Sequence, residues 1–292
     1  GDTARLPGLW LRASERARDA SDLAASIDYA DRGLHAGAAG ETLGALRGVQ
    51  AIAHSWRGEI DLVAARGSEA VAALPRGTAR WYRAAGFLAS AWIQRGEPQG
   101  MEPLMEALDA TPLDDDAGRS RIAAIAQIAQ HCLMTGRTTH VDQLLAWLTA
   151  DGVAQVATTS PMVAALLHEV RASRHTIDGD PLASAKEKAS ARRCREEAGD
   201  RRGACVAAVN EGFSWNELGD HARAEALLRE GIEIADRLGL GITASYARMC
   251  LGKTLLACGD TAQARAVLAR AIEQARERGR PRTDGLARAV LA

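Results

Sequence analysis

The sequence predicts an all-α protein, and three observations lead to this fold class. Strong helix formers dominate the 292 residues, which include 61 Ala and 33 Arg. Aromatic residues, which favour strands together with β-branched residues, make up only 4%. Gly turns also recur at nearly constant spacing, with small and bulky residues at fixed distances from each turn.

The turns divide the chain at intervals of 38, 40, 43, 40 and 40 residues. Their glycines are Gly58, Gly96, Gly136, Gly179, Gly219 and Gly259. Each Gly supplies the αL conformation that ends a helix, and at five of the six turns an acidic residue follows directly and can cap the next helix. Each interval therefore predicts a helix, a turn and a second helix.

Residues at two fixed distances from the turns indicate how the paired helices pack. Small residues stand seven positions before each Gly, at Ala51, Ala89, Ala129, Ala172, Gly212 and Gly252. Twelve positions after each Gly stand Ala70, Leu108, Leu148, Ala191, Gly231 and Ala271. Small side chains let two helices approach closely and larger ones fill the gaps, so both sets predict buried contacts between helices.

The resulting map is a single domain over 1–292 with about seven helix pairs. It comprises an N-terminal pair at 1–39, repeats at 40–136, an irregular repeat at 137–199, the best-matching repeats at 200–279, and the start of a terminal helix at 280–292. The predicted helices cover 6–18, 20–36, 40–57, 59–74, 77–95, 97–110, 116–135, 138–150, 160–177, 181–198, 201–218, 220–238, 241–258, 260–278 and 282–291. We expect Pro103 to kink or delay its helix, Asp114 to Asp116 to form a loop that caps the next helix, and 151–161 to form an irregular connection. In the irregular repeat, Ser184 and Lys188 replace a small and a large packing residue.

The best units carry the pattern of a known repeat family. They read Gly212, Trp215, Gly219-Asp220, Ala224 and Gly231, then Gly252, Leu255, Gly259-Asp260, Ala264 and Ala271. This pattern resembles the tetratricopeptide repeat (TPR), whose standard length is 34 residues. The period of about 40 residues resembles the long-helix variant of bacterial signalling proteins and transcription-factor sensor domains. The resemblance implies an α-solenoid, a right-handed superhelix of antiparallel helix pairs.

A second resemblance concerns the context of the chain. It is carried by Ala30-Asp31-Arg32-Gly33-Leu34, Trp56-Arg57-Gly58-Glu59, Leu74-Pro75-Arg76-Gly77, Trp81-Tyr82-Arg83-Ala84 and the run from Ala198 to Asn210. These segments resemble the C-terminal TPR tails of large bacterial serine/threonine protein kinases, which are not catalytic. The chain begins at Gly1 without Met, which predicts a piece excised from a longer polypeptide.

Residue patterns that carry chemistry are scarce in the sequence. It contains no kinase, Walker A, GxSxG or HExxH motif, so we expect no enzyme activity, cofactor or metal site in this chain. A net charge of −1 argues against a nucleic-acid binder, and the absence of a long apolar run argues against membrane insertion. Five Cys without a CxxC pair favour a cytoplasmic protein. Two Arg clusters, at 192–202 and 276–282, are interpreted as solvated helix ends.

The resemblance places partner binding on a concave face lined by the first helices of the pairs. Residues two, three, six, ten and thirteen positions before each turn Gly should be exposed there. The selected residues are Arg83, Gln94, Gln130, Met134, Glu169, Asn216, Glu217, Tyr246, Met249 and Lys253. Val209 and Phe213 stand where chaperone-binding relatives carry a Lys and an Asn that clamp a C-terminal carboxylate, so carboxylate capture of that kind is not expected.

Two functions follow from these observations. The first is a non-catalytic scaffold that binds a peptide or protein segment in the concave groove, as the regulatory region of a bacterial signalling kinase. The alternative is the ligand-sensing arm of a bacterial transcription activator, which needs a closed pocket with convergent polar groups.

Overall fold

A computed structural model describes residues 5–97, 100–108, 116–136, 140–150, 152–277 and 281–291. Within these ranges the chain is all-α, which confirms the predicted class, and it contains sixteen helices and no strand. They are α1 Leu6–Asp19, α2 Leu23–His35, α3 Gly40–Arg57, α4 Ile60–Ala73, α5 Ala79–Arg95, α6 Met101–Leu108, α7 Asp116–Thr135, α8 Val141–Thr149, α9 Val153–Thr159, α10 Pro161–Ile177, α11 Pro181–Glu197, α12 Arg201–Glu217, α13 His221–Arg237, α14 Gly241–Ala257, α15 Thr261–Glu277 and α16 Pro281–Leu291. None of these helices combines the length and the apolar character needed to cross a bilayer.

The helices group into two compact units, residues 1–166 and 167–292, and the division falls within α10. In the first unit, α1 packs on α2, α3 on α4, and α5 on α7. In the second unit, α11 packs on α12, α12 on α13, and α14 on α15. Alternate helices also meet, since α1 contacts α3, α3 contacts α5, and α12 contacts α14.

The turn prediction is confirmed at all six glycines, which have φ angles between +69° and +84°. At Gly219 the N–H of the following Asp220 donates to the Trp215 carbonyl at 3.0 Å, which closes the end of α12. The side chain of Asp220 then accepts from the Arg223 N–H at 3.2 Å and caps α13. Asp180 and Asp260 cap α11 and α15 in the same way.

Glu59 departs from this capping pattern. Its side chain makes no cap hydrogen bond to α4. One carboxylate oxygen instead lies 2.5 Å from His54 Nδ1, and the other lies 2.9 Å from Arg57 Nη2. The Glu59 side chain thus reaches back to the preceding helix instead of capping α4.

The two sets of recurring packing positions are buried throughout. The small residues Ala51, Ala89, Ala129, Ala172, Gly212 and Gly252 are all buried. So are Ala70, Leu108, Leu148, Ala191, Gly231 and Ala271. The predicted burial of these positions is therefore confirmed.

Three local expectations meet different outcomes. The segment predicted as an irregular connection contains α9, which the buried side chain of Val153 anchors, so that prediction was wrong. Helix α6 begins at Met101 instead of 97, with Pro103 in its first turn, where a missing N–H costs no hydrogen bond. Residues 109–115 and 137–139, which include two residues of the predicted capping loop at 114–116, lie outside the described ranges.

The irregular repeat uses hydrogen bonds where the other units use apolar contacts. Ser184 is buried, and its hydroxyl donates to the Ala172 carbonyl at 2.9 Å. Lys188 is half-buried and donates from Nζ to Ser214 Oγ at 2.7 Å. Burial holds the pKa of Lys188 below its usual value, because the charged ammonium loses contact with water.

Candidate functional site

Four side chains from α12 and α14 form a surface that we call the aromatic patch: Phe213, Glu217, Tyr246 and Lys253. Phe213 and Glu217 are four residues apart and Tyr246 and Lys253 are seven apart, so each pair shares one helix face. The ring centroids of Phe213 and Tyr246 lie 6.4 Å apart. The structure thus brings together three of the residues predicted to bind a partner.

A charged pair completes the patch. Lys253 Nζ lies 2.6 Å from Glu217 Oε1, and the two side chains are 48% and 40% exposed. Nζ also lies 5.9 Å from the centroid of the Phe213 ring. An ion pair this exposed contributes about 0–1 kcal/mol to stability, so an incoming charged group can replace either partner at little cost.

The aromatic rings are held in place from below. Phe213 and Tyr246 are half-buried and pack against a core that includes Leu228, Leu251 and Leu255. Burial raises the pKa of the nearby Cys250 thiol to about 12, so this thiol stays protonated. Rings held this way lose little conformational entropy when a partner binds, which makes them suitable contact residues.

Two other predicted residues are not accessible, and the expectation that they are exposed was wrong. Asn216 is 6% exposed, and its Oδ1 lies 3.1 Å from His221 Nδ1 at the start of α13. Met249 is 7% exposed and belongs to the core of the second unit. Both side chains point towards neighbouring helices. One position along a helix rotates a side chain by about 100°, so counting positions from a turn Gly can select the buried face of a helix.

Glu169 is half-buried and already holds a cation. Its carboxylate accepts from Arg195 Nε at 2.6 Å and from Nη2 at 2.9 Å, and Asp200 accepts from Nη1 of the same guanidinium. Burial alone would lower the pKa of Arg195, but the two carboxylates raise it above its usual value. This carboxylate therefore stabilises the packing of α10 on α11 and is not presented to a partner.

The remaining predicted residues lie on α5 and α7 of the first unit. Arg83 and Gln94 are exposed on α5, and Gln94 Nε2 donates to the Ser90 carbonyl at 3.3 Å. On α7, Gln130 is half-buried and Met134 is 69% exposed. Within the described residues, no hydrogen bond or ion pair joins these four side chains to each other.

Sequence reasoning missed a buried carboxylate in the second unit. The Glu211 side chain on α12 has no exposed surface and accepts three hydrogen bonds, from Arg192 Nε at 2.9 Å, Arg223 Nη2 at 2.9 Å and Trp215 Nε1 at 3.0 Å. The Arg223 guanidinium also lies 3.8 Å from the Trp215 ring centroid. We call these four residues the Glu211 network.

The first Arg cluster was interpreted as a solvated helix end. Arg193 and Arg201 are exposed as expected, but the interpretation was wrong for two other members of the cluster. Arg192 and Arg195 are only 25% and 12% exposed, and each holds a carboxylate of another helix. Their partners lie 19 and 26 residues away, beyond the reach of any pattern within one helix. In the second cluster Arg276 is solvated, with 57% of its side chain exposed, while 278–280 lie outside the described ranges.

Metal-ligating side chains do not cluster in the described part of the chain, where no three His, Cys, Asp or Glu residues could hold one ion. Neither a protein-family model nor a curated protein matches the sequence. The aromatic patch, built from three exposed or half-exposed predicted residues and Phe213, is therefore the candidate site.

Proposed function

We propose that this chain is a non-catalytic scaffold for protein–protein interaction, built as a TPR-like solenoid with a period of about 40 residues. In this proposal α3, α5, α7, α10, α12 and α14 are the first helices of the pairs, and a peptide or protein segment binds on α12 and α14 of the second unit. The αL turn glycines and the burial of both recurring packing positions support the repeat. Cytoplasmic location is part of the same proposal.

The observation that carries the proposal is the aromatic patch. Two rings, a cation and an anion from two adjacent first helices form one accessible surface. Aromatic side chains dominate the energy of many interfaces, and exposed charges at their edge select the partner. A segment with an apolar anchor flanked by a charged residue satisfies both features of this surface.

The aromatic patch can be tested with peptides that are selected from a displayed random library for binding to the whole chain. We expect the double change Tyr246→Ala with Lys253→Glu to weaken the selected peptides at least about tenfold, because it removes a ring and reverses the charge. The matched control is Arg265→Glu, an exposed charge reversal on α15, which should leave affinity within about twofold. Circular dichroism checks that each variant is folded.

Equal affinity of the selected peptides for the double variant and the control would contradict the proposed site. A further variant exchanges the charges, Glu217→Lys with Lys253→Glu. It keeps an ion pair within the patch but should alter which charged residue the selected peptides carry.

We further propose that this scaffold is the regulatory region of a bacterial signalling kinase. The support is the resemblance of segments such as 56–59 and 81–84 to kinase tails. Reading the coding sequence on both sides of this chain tests the context. We expect a serine/threonine kinase domain before it, and a helix-turn-helix domain after it would instead support a transcription activator.

A further inference from the structure

A shallow groove in the first unit, with an enclosed volume of only about 20 Å³, lies between α1, α3 and α5, and we call it the arginine groove. Its floor includes Ala45, Gly48 and Ile52 of α3. Glu15 and Arg18 of α1 line one side, and Arg80 and Arg83 of α5 line the other. Only Arg83 of this set was among the residues predicted from the sequence.

The small floor residues explain how the two sides meet. Ala45 and Gly48 on α3 leave space between α1 and α5 beside the larger Ile52. Arg80 Nη2 therefore reaches Glu15 Oε1 across α3 at 3.1 Å. The packing of α1 and α5 on α3 sets the spacing of the two sides, and this ion pair bridges them.

Three of the four charged residues are paired. Arg18 binds Asp19 at 2.8 Å, and Arg80 binds Glu15 at 3.1 Å and Glu41 at 3.8 Å.

Arg83 has a different environment. It donates from Nε to the Ala79 carbonyl at 3.3 Å, and within the described residues no carboxylate lies at ion-pair distance from its guanidinium. Although Arg83 is exposed, partial burial of its guanidinium and the charge of Arg18 lower its pKa; Arg80 adds to this, and Asp116 and Glu15 only partly oppose it. The arginines thus repel one another here, and a carboxylate placed beside Arg83 would relieve the repulsion.

We propose that the arginine groove binds an acidic segment of a partner polypeptide, with an Asp or Glu carboxylate held by Arg83. A guanidinium binds a carboxylate through two parallel hydrogen bonds, which gives the contact both strength and orientation. The inference concerns a surface separate from the aromatic patch and does not depend on it.

Charge spacing favours a peptide over a nucleic acid as the occupant. Glu15, Asp19 and Glu41 are interspersed among the arginines. A phosphate backbone carries a charge at every nucleotide and would meet these carboxylates, whereas an acidic peptide can place its charges between them. The chain as a whole also has a net charge of −1 instead of a basic surplus.

A labelled ten-residue peptide of alternating Glu and Ser, titrated with the whole chain and followed by fluorescence anisotropy, tests this inference. We expect binding at low salt that Arg83→Gln weakens at least about fivefold. Arg83→Lys should weaken binding less than Arg83→Gln does, because Lys keeps the positive charge but cannot donate two parallel hydrogen bonds. Arg76→Gln removes an exposed Arg of the same unit outside the groove and should leave affinity within about twofold.

Three outcomes would overturn the inference. These are no binding at millimolar peptide, equal losses in the Arg83→Gln and Arg76→Gln variants, or single-stranded DNA of equal length that binds as tightly with the same dependence on Arg83. Thermal unfolding confirms that the variants are folded. The variant of Tyr246 and Lys253 should bind this acidic peptide normally, which separates failure of this inference from failure of the aromatic patch.

Discussion

Replacing Glu211 with Ala is expected to lower the free energy of unfolding by about 3–5 kcal/mol. The carboxylate is fully buried and accepts from Arg192, Arg223 and Trp215. Its removal leaves the Trp215 N–H without its acceptor and two guanidinium groups without their shared counter-charge. Because Arg223 is 45% exposed and can turn towards water, we place the expected loss at the lower end of this range.

Urea unfolding followed by far-UV circular dichroism measures this effect. The matched control is Glu225→Ala, which removes a Glu from the more exposed pair with Arg229 on α13 and should change stability by no more than about 0.5 kcal/mol. Glu211→Gln keeps the side-chain volume and one acceptor oxygen but removes the charge, so it should lie between the two. Equal stabilities of the Glu211→Ala and Glu225→Ala variants would show that the network contributes no more than a surface ion pair.

The turns and the close contacts between helices could be predicted from the sequence because their causes are local. A helix that ends in the αL conformation strongly favours Gly, and Gly219 with its five equivalents shows this directly. A helix that packs closely on its partner needs a small residue at the contact, as at Gly212 and Gly252. Each signal lies within one helix and its turn, so one sequence is enough to read it.

The exposure of individual side chains could not be predicted in the same way. Asn216 and Met249 were placed on an accessible face by counting from a turn, but each meets a neighbouring helix. Glu211 is buried although a charged residue is usually exposed. Its partners lie on α11 and α13 as well as on α12. Such contacts depend on how three helices are arranged, and no single helix pattern contains that information.

The contrast between signals within one helix and contacts among several helices also explains which residues of the candidate sites were predicted from the sequence. Tyr246, Glu217 and Lys253 were identified because they lie on the accessible side of their own helices. Phe213, the ring that joins them, was not among the residues predicted to bind a partner. The arginine groove was found in part, through Arg83, because its other arginines become neighbours only when α1 and α5 meet across α3.

Close packing of a small residue against a large one predicts a strong coupling between Gly212 and Leu228. Leu228 is fully buried, and a Cβ added at Gly212 would lie 2.9 Å from its Cγ. Leu228→Ala should therefore lower the free energy of unfolding by about 2–5 kcal/mol, since it leaves a cavity between α12 and α13. Gly212→Ala alone should destabilise, because the added methyl group meets Leu228.

In the Leu228→Ala background, Gly212→Ala should instead stabilise. The clash is absent there, the new methyl group fills part of the cavity, and Ala favours a helix over Gly by about 0.5–1 kcal/mol. The same pair of changes at Gly252 and Leu268, where the added Cβ would clash with Leu268, provides an independent repetition in α14 and α15. Urea unfolding measures the stability of each single variant and of the double variant. If the effects of the two single changes add to within about 0.5 kcal/mol in the double variant, the two side chains do not pack against each other.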